Sequence, residues 1–400
     1  MRRLVVIALG ITPPGTMGGN SKIILEILRN LPASIPCLVV TSKPESFAEN
    51  EIHDRPGLSI ATVPIYPRNE RLHHLGACLH AVRTIRQAFE THGIGADDVV
   101  YCVSDFMPDV LPAFLLQRRL GFTWLPSFFL FVPTVSENLR RGYGFPVLKY
   151  FIYYLYQRIT RAMMLARCSG VVVTNTSDID RFPTRLHPNI LAIYGGVNVE
   201  QIPDGVHDDA DYDAVFCSRL HPQKGIDRLL DVWRRVVDEF PSAKLAIIGN
   251  GEPTYERKLH EKARRLGIES NLAWLGYVNH ESKFAIYRRA KMLLHATVYD
   301  NNGMVAAEAL CSGLPVVLYD LPALRHVYDV GCLKVPEGDT RQYAASVLRM
   351  LGEPDFAARI RPTPEQVADL REHWCWRNRT KIFVEFFSRF QLADQTFSRT

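Results

Sequence analysis

The 400-residue chain holds eight cysteines, at positions 37, 78, 102, 168, 217, 311, 332 and 375, and no two of them form a Cys-x-x-Cys pair. Thiols scattered in this way give neither a zinc site nor a disulfide framework, and they fit a reduced, cytosolic protein. Long hydrophobic runs are also missing, since no stretch approaches the length and purity of a membrane-spanning helix. The opening MRRLVVIALGITPPG places charge before apolar residues, as a leader would. Its apolar run is short and leads into a glycine loop and an amphipathic helix, so it is read as a first β-strand. Charge of one sign is scarce: 47 Lys and Arg against 42 Asp and Glu leave a net +5. That excess suits anionic substrates or an anionic membrane surface and is too weak to argue for nucleic acid. No Gly-x-Gly-x-x-Gly follows the first strand, which counts against a dinucleotide-dependent oxidoreductase.

What is present suits two α/β domains with an appended helix, because 400 residues exceed one comfortable core. The stretch Tyr299–Val317, YDNNGMVAAEALCSGLPVV, organises the rest. Before it, Met292–Thr297 is an apolar run of buried-strand length. Gly303 permits a tight turn, Met304–Leu310 favours helix, and Gly313 with Pro315 stops that helix before the strand Pro315–Asp320. The polar residues therefore fall at a strand's carboxyl end, where open α/β sheets bind ligands, and the helix start turns unpaired amides toward the loop. Asp300 and Glu308 bracket the turn. A second constellation follows the strand Ala214–Leu220, where Arg219 and Lys224 flank one loop at the start of a helix. Two cations and a helix N-terminus on one spot suit a diphosphate. Lys244–Glu252 repeats the strand and glycine loop with Gly249 and Gly251, and Asn271–Val278 supplies a further strand.

A carboxylate, seven residues, then Glu, followed by a small-residue helix and Gly-x-Pro-Val-Val, resembles the donor-site signature of the family 4 retaining glycosyltransferases of group 1. Ser218-Arg219-Leu220 with Lys224-Gly225 is similar to the Gly-Arg-Leu-x-x-x-Lys-Gly of the same family. The resemblance implies a GT-B fold, two Rossmann-like doubly wound domains facing a central cleft. It divides the chain into an acceptor-side domain (1–199), a linker (200–212), a nucleotide-sugar domain (213–372) and a C-terminal helix crossing back onto the first domain (373–400). It implies a sugar nucleotide held by Arg219, Lys224, Gly249, Gly251, Tyr277, Asp300, Gly303, Met304, Val305 and Glu308. Arg219, Lys224 and the Gly303–Val305 amides would take the diphosphate, Glu308 the ribose, Asp300 the sugar hydroxyls and the loop at Tyr277 the base. Catalysis would rest on Asp300, Arg219, Lys224 and Asp105, with no metal and no cofactor. The acceptor, a glycan or a lipid-linked hydroxyl, would meet Gly18 and Gly19. The family usually begins its signature with Glu, where this chain has Asp300, and it offers a histidine where this chain has Phe128, Phe129 and Leu130. These departures keep a second reading open, a non-catalytic GT-B-fold subunit that binds a nucleotide or glycan.

Other features carry less. Gly18–Gly19 precede the helical pattern Lys22–Leu31, close to any ligand but without a dinucleotide spacing. Asp105 and Asp109 stand after the buried-strand run Asp98–Ser104, where capping or loop solvation explains Asp105 equally well. His73 and His74 have no partner at metal-ligand spacing. The Asp-x-Asp triplets at 178–180, 209–211 and 211–213 are unspecific and are set aside as metal sites. Phe145–Cys168 is the most apolar helical stretch. It is read as a helix packed inside the first domain, against the alternative of a face on a bilayer receiving a lipid-linked acceptor. The expected place is the cytoplasm, with the inner face of the membrane left open.

Overall fold

The computed structural model describes residues 2–12, 18–64, 73–141, 147–203 and 210–392. Loop residues 13–17, the start of the apolar helical stretch at Phe145, Asp209, and the side chains of His73 and His74 lie outside that description. The chain forms two compact units, one of Met1–Val135, Val147–Gly195 and Trp376–Thr400, the other of Ser136–Pro146 and Gly196–Cys375.

The first unit is built on a parallel sheet of seven strands: β1 (Arg3–Ile7), β2 (Cys37–Thr41), β3 (Leu58–Thr62), β4 (Asp98–Cys102), β5 (Thr123–Phe128), β6 (Val171–Val173) and β7 (Ile190–Ala192). Their order is β3-β2-β1-β4-β5-β6-β7. The strands β2 and β4 are buried along their whole length, as expected of apolar runs covered on both faces. Pro126 sits inside β5, opposite Cys102 of β4, a place where proline is uncommon because it donates no ladder bond. The helix Trp376–Leu392 belongs to this unit and packs on the helix Gly19–Asn30. Phe383 stands edge-on to Tyr101 at 5.5 Å, and the Arg2 guanidinium donates to the Phe390 carbonyl at 3.0 Å.

The second unit has a parallel sheet of six strands: β8 (Ala214–Cys217), β9 (Leu245–Ile248), β10 (Leu272–Gly276), β11 (Leu293–His295), β12 (Val316–Tyr319) and β13 (Cys332–Val335), in the order β10-β9-β8-β11-β12-β13. In both units the chain starts mid-sheet, winds to one edge, and then crosses back to build the other half. The direction of winding reverses between β1 and β4 in the first sheet and between β8 and β11 in the second. At such a reversal the loops leaving adjacent strands diverge and open a crevice.

The helix Val147–Arg167 differs from the expectation of a packed interior. It buries Gln157, Thr160 and Met164, while Leu148, Phe151, Ile152, Leu155 and Ile159 are exposed, Leu148 at 74%. These five fall at helical spacing along one side. The inward side is partly polar because Gln157 is needed there. Its side-chain oxygen accepts from the Val132 amide (2.8 Å), and its nitrogen donates to the Leu130 carbonyl and to Asp105 Oδ2 (2.7 Å each).

Candidate functional site

The crevice between β8 and β11 collects the candidate residues of the second unit. Gly225 lets the loops meet. Its φ is +72°, and a Cβ there would lie 1.9 Å from the Ala296 carbonyl oxygen, so a side chain is excluded by strain and by space. Gln223 then ties the loops together: its side-chain amide donates to the Tyr299 carbonyl (2.6 Å), and its own carbonyl accepts from the Val298 amide (3.0 Å). Lys224 Nζ consequently stands 2.8 Å from Asp300 Oδ2. The two motifs expected to meet do meet.

Asp300, expected to meet sugar hydroxyls, is engaged within its own turn and by Lys224. Its Oδ1 accepts from the amides of Asn301, Asn302 and Gly303 at 2.8, 3.1 and 3.2 Å. Its Oδ2 takes Lys224 and lies 3.7 Å from His295 Nε2. Being one methylene shorter than Glu, the carboxylate folds back onto its own turn, as Asp commonly does. Burial acts to raise its pKa, but the Lys224 charge and the neighbouring His295 outweigh it and hold the carboxyl well below the usual range. Gly303, at φ +60°, is braced by the Tyr328 hydroxyl, which donates to the carbonyls of Asn302 and Gly303 (2.7 and 2.9 Å). Since Asp300 takes the Gly303 amide, Met304 and Val305 are left to begin the helix Met304–Cys311 with amides that have no i−4 carbonyl inside it. Glu308, one turn further, is buried with its Oε1 2.8 Å from Lys283 Nζ of the helix His280–Arg288.

Arg219 is exposed and lines a cavity of about 370 Å³ with His221, Asn250, Gly251, Glu252 and Tyr255. His221 has its pKa lowered, by burial first and then by the charges of Arg219 and Lys224. The smaller, charge-driven part of that shift reflects two cations beside the ring, a setting that favours an anion. Gly249 and Gly251, expected beside the ligand, owe their identity to backbone packing. A Cβ at Gly249 would lie 2.0 Å from the Ser218 carbonyl oxygen, and one at Gly251 would lie 2.3 Å from that of Leu220. The Gly249 amide donates to the Gly276 carbonyl (2.7 Å), which draws the next loop alongside, and Tyr277 on that loop is 79% exposed. Asp211 and Asp213 are paired with Arg289 and Lys291.

In the first unit the reversal between β1 and β4 is closed by acids. Asp109 is fully buried, accepting from the amides of Leu9 (2.9 Å) and Gly10 (3.1 Å) and from the Ser104 hydroxyl (2.5 Å). Burial pushes its pKa up to about 7 against those donors and Lys43. Asp105 is pushed up to about 6, again by burial, against its bond to Gln157. Its carboxylate is thus committed to fixing the 130–132 loop. Gly18 precedes the helix Gly19–Asn30, and a Cβ at Gly19 would meet nothing within 4 Å. Phe128, where the family offers histidine, is fully buried and packs on Phe131 and Phe182. Sequence reasoning passed over His295, Lys283, Gln223, Gln157 and Tyr328. Of these only His295 carried a signal, as a polar residue closing an apolar strand just before the acidic turn.

The comparisons bear on the same unit. Residues 198–366 match the model of the family described as glycosyl transferases group 1. Those residues are a group 1 glycosyltransferase domain. An uncharacterized glycosyltransferase of Methanocaldococcus jannaschii is 29% identical over 185 residues, 46% of each chain. A phosphatidyl-myo-inositol mannosyltransferase of Mycobacterium leprae is 31% identical over 174 residues, 39% of this chain and 45% of the relative. The chain thus spans less than half the length of these relatives. Among solved structures, a sucrose-phosphate synthase from Thermosynechococcus elongatus superposes with a TM-score of 0.77 at 16% identity, over 98% of this chain and all of the other. Anabaena HepE in complex with UDP and glucose does so with a TM-score of 0.72 at 14% identity, over 97% of this chain and all of the other. At such identity the likeness speaks to fold alone, and the fold is GT-B.

Proposed function

We propose that the protein transfers a sugar from a nucleotide-sugar donor to a hydroxyl of a glycan or lipid-linked acceptor, with retention at the anomeric carbon and without a metal ion. The observation that carries this reading is the meeting of Lys224 and Asp300 at 2.8 Å across the β8–β11 reversal, beside the helix start at Met304. An ammonium has three protons. One lies on Asp300, and the others can serve a diphosphate together with Arg219 and the Met304 and Val305 amides. Negative charge grows on that diphosphate as the glycosidic bond breaks, so donors fixed there act more strongly on the transition state than on the ground state. With cations and a helix end supplying the positive charge, the departing phosphate can itself accept the proton of the incoming hydroxyl, and no side chain is assigned as nucleophile. Asp300 enters as the residue that fixes Lys224 and the turn, and Asp105 as a brace for the acceptor-side loop.

A lipid-linked acceptor is supported by the mycobacterial relative, named for phosphatidyl-myo-inositol, and by the apolar stripe of the helix Val147–Arg167. That helix carries Lys149, Arg158, Arg161 and Arg167 and no acid, which suits an anionic bilayer on the cytoplasmic side. Among the described residues no helix is long and apolar enough to cross a membrane, so the contact would be peripheral. Flotation of Leu155→Asp with anionic vesicles tests this point: binding should fall at least about tenfold with the melting temperature unchanged, and equal flotation would refute it. For the reaction, Arg219→Ala and Lys224→Ala should each lower kcat/KM for transfer about tenfold or more, since a charged hydrogen bond contributes roughly 1.5–3 kcal/mol. Activity within a factor of two of the native protein would reject the site, and a rate abolished by EDTA would reject metal independence.

A further inference from the structure

Resting on the nucleotide-sugar reading above, we propose that His295 is a positioning residue that takes over the Asp300 carboxylate when a bound diphosphate draws Lys224 away. Oδ1 of Asp300 is filled by three amides of its own turn, so only Oδ2 is open to an exchange of partners. Lys224 Nζ stands on Oδ2 at 2.8 Å. His295 Nε2 lies 3.7 Å from the same oxygen, outside hydrogen-bond range but only about 0.8 Å short of it. The ring closes β11, the strand beside β8, and is 6% exposed. Its Nδ1 is buried and has no hydrogen-bond partner among the described residues. A proton there would be a buried donor with nothing to accept it, so the neutral ring keeps its hydrogen on Nε2, facing the carboxylate. In the free site Lys224 and Asp300 satisfy each other. A diphosphate that takes the ammonium lengthens that contact and leaves Oδ2, on a side chain only 16% exposed, short of a donor, which works against binding. The imidazole N–H offsets that penalty and adds no second cation beside Lys224. With Asp300 pinned by its turn, the small closing movement falls to the ring.

Calorimetry on the full chain, with whichever of UDP, GDP and ADP binds most tightly, tests the exchange. His295→Phe, which keeps a ring and removes the N–H, should weaken binding about fivefold or more, in the range of one neutral hydrogen bond. His295→Gln, which keeps a neutral N–H and cannot be charged, should bind within about twofold of the native protein. In a Lys224→Met background Oδ2 has no ammonium to lose, so adding His295→Phe should there change the affinity by less than about twofold. An equal loss in both backgrounds marks a merely structural role and overturns the proposal, as does a His295→Gln protein that binds like His295→Phe. If Lys224→Met binds too weakly to titrate, urea denaturation without nucleotide decides. His295→Phe should then lower the midpoint more in Lys224→Met, where the imidazole is the donor left for Oδ2 among the described residues, than in the native background, and equal decrements overturn the proposal. If His295→Phe does not fold, His295→Leu is judged by the same comparisons. A His295→Phe protein that binds like the native one overturns the proposal and leaves the donor site standing. Binding of none of the three nucleotides by the native protein removes both.

Discussion

Two aspartates, Asp109 and Asp300, respond to pH in opposite directions. Asp109 keeps its proton in the folded state up to about pH 7, whereas the unfolded chain releases it near pH 4. Between those values the native state binds more protons, so the stability this residue contributes is lost as pH rises through the window. Asp109→Asn should flatten the fall in denaturant midpoint between pH 5 and pH 7.5, and a slope equal to the native one would contradict the assignment. Asp300 has its pKa depressed, so its contribution is present above about pH 4 and is lost on acidification below that. Asp300→Ala strands the Lys224 ammonium, 20% exposed, and uncaps the turn before Met304. The expected cost at pH 7 is about 2–4 kcal/mol from one unsatisfied charged group and one lost cap, measured by urea denaturation. Asp300→Glu, with the longer side chain usual in the family, should recover Lys224 but not all three amides. At this scale the sequence was only partly readable. That the Arg219–Lys224 loop and the turn at Gly303 serve one site was expected from the family likeness, but the Lys224–Asp300 pair was not, and Lys283 reaches Glu308 from 25 positions away with no local pattern to mark it.

The loops and helices follow backbone constraints that residue types announce unevenly. Gly225→Ala should lower the melting temperature of the second unit by several degrees and weaken nucleotide binding. Its Cβ would press on the Ala296 carbonyl at 1.9 Å and part the two loops, whereas Gly267→Ala, strained by its φ of +65° but with nothing within 4 Å of its Cβ, should cost some stability and leave binding as it was. Differential scanning fluorimetry with and without nucleotide separates the two effects. Most strands could be read from apolar runs of the right length. The strand β5 was obscured by Pro126, and β13, Cys332–Val335, was masked by a lysine among its four residues and by partial exposure. For the helix Val147–Arg167, apolar spacing identified a helix but not its orientation. Periodicity reports which residues share a side, and a single buried glutamine with three hydrogen bonds decided which side turned inward.

The arrangement of the chain between the two units carries its own prediction. The helix Trp376–Leu392 buries Phe383, Phe386 and Phe387, and it lies on elements of the first unit although the intervening 180 residues from Gly196 to Cys375 belong to the second. A chain ending at Cys375 should therefore expose apolar surface of the first unit and leave the second intact. Thermal unfolding of the truncated protein should show a lowered first transition beside a preserved second one that still shifts with nucleotide, and a single unshifted transition would contradict this. The two-domain plan and the return of the last helix were expected from chain length and family likeness. The boundary at Gly195 and Gly196 falls before the expected linker at 200–212, because Val197 already pairs with Cys375.

That pairing near the two ends of the segment Gly196–Cys375 makes this segment an insertion into the first unit. During synthesis the ribosome delivers the opening sheet long before the segment that covers it, so the early part of the chain must wait, half clothed, while a whole neighbouring domain is made and folded. Cells expressing this protein should thus lean on chaperones for the amino-terminal half until the helix Trp376–Leu392 has been made.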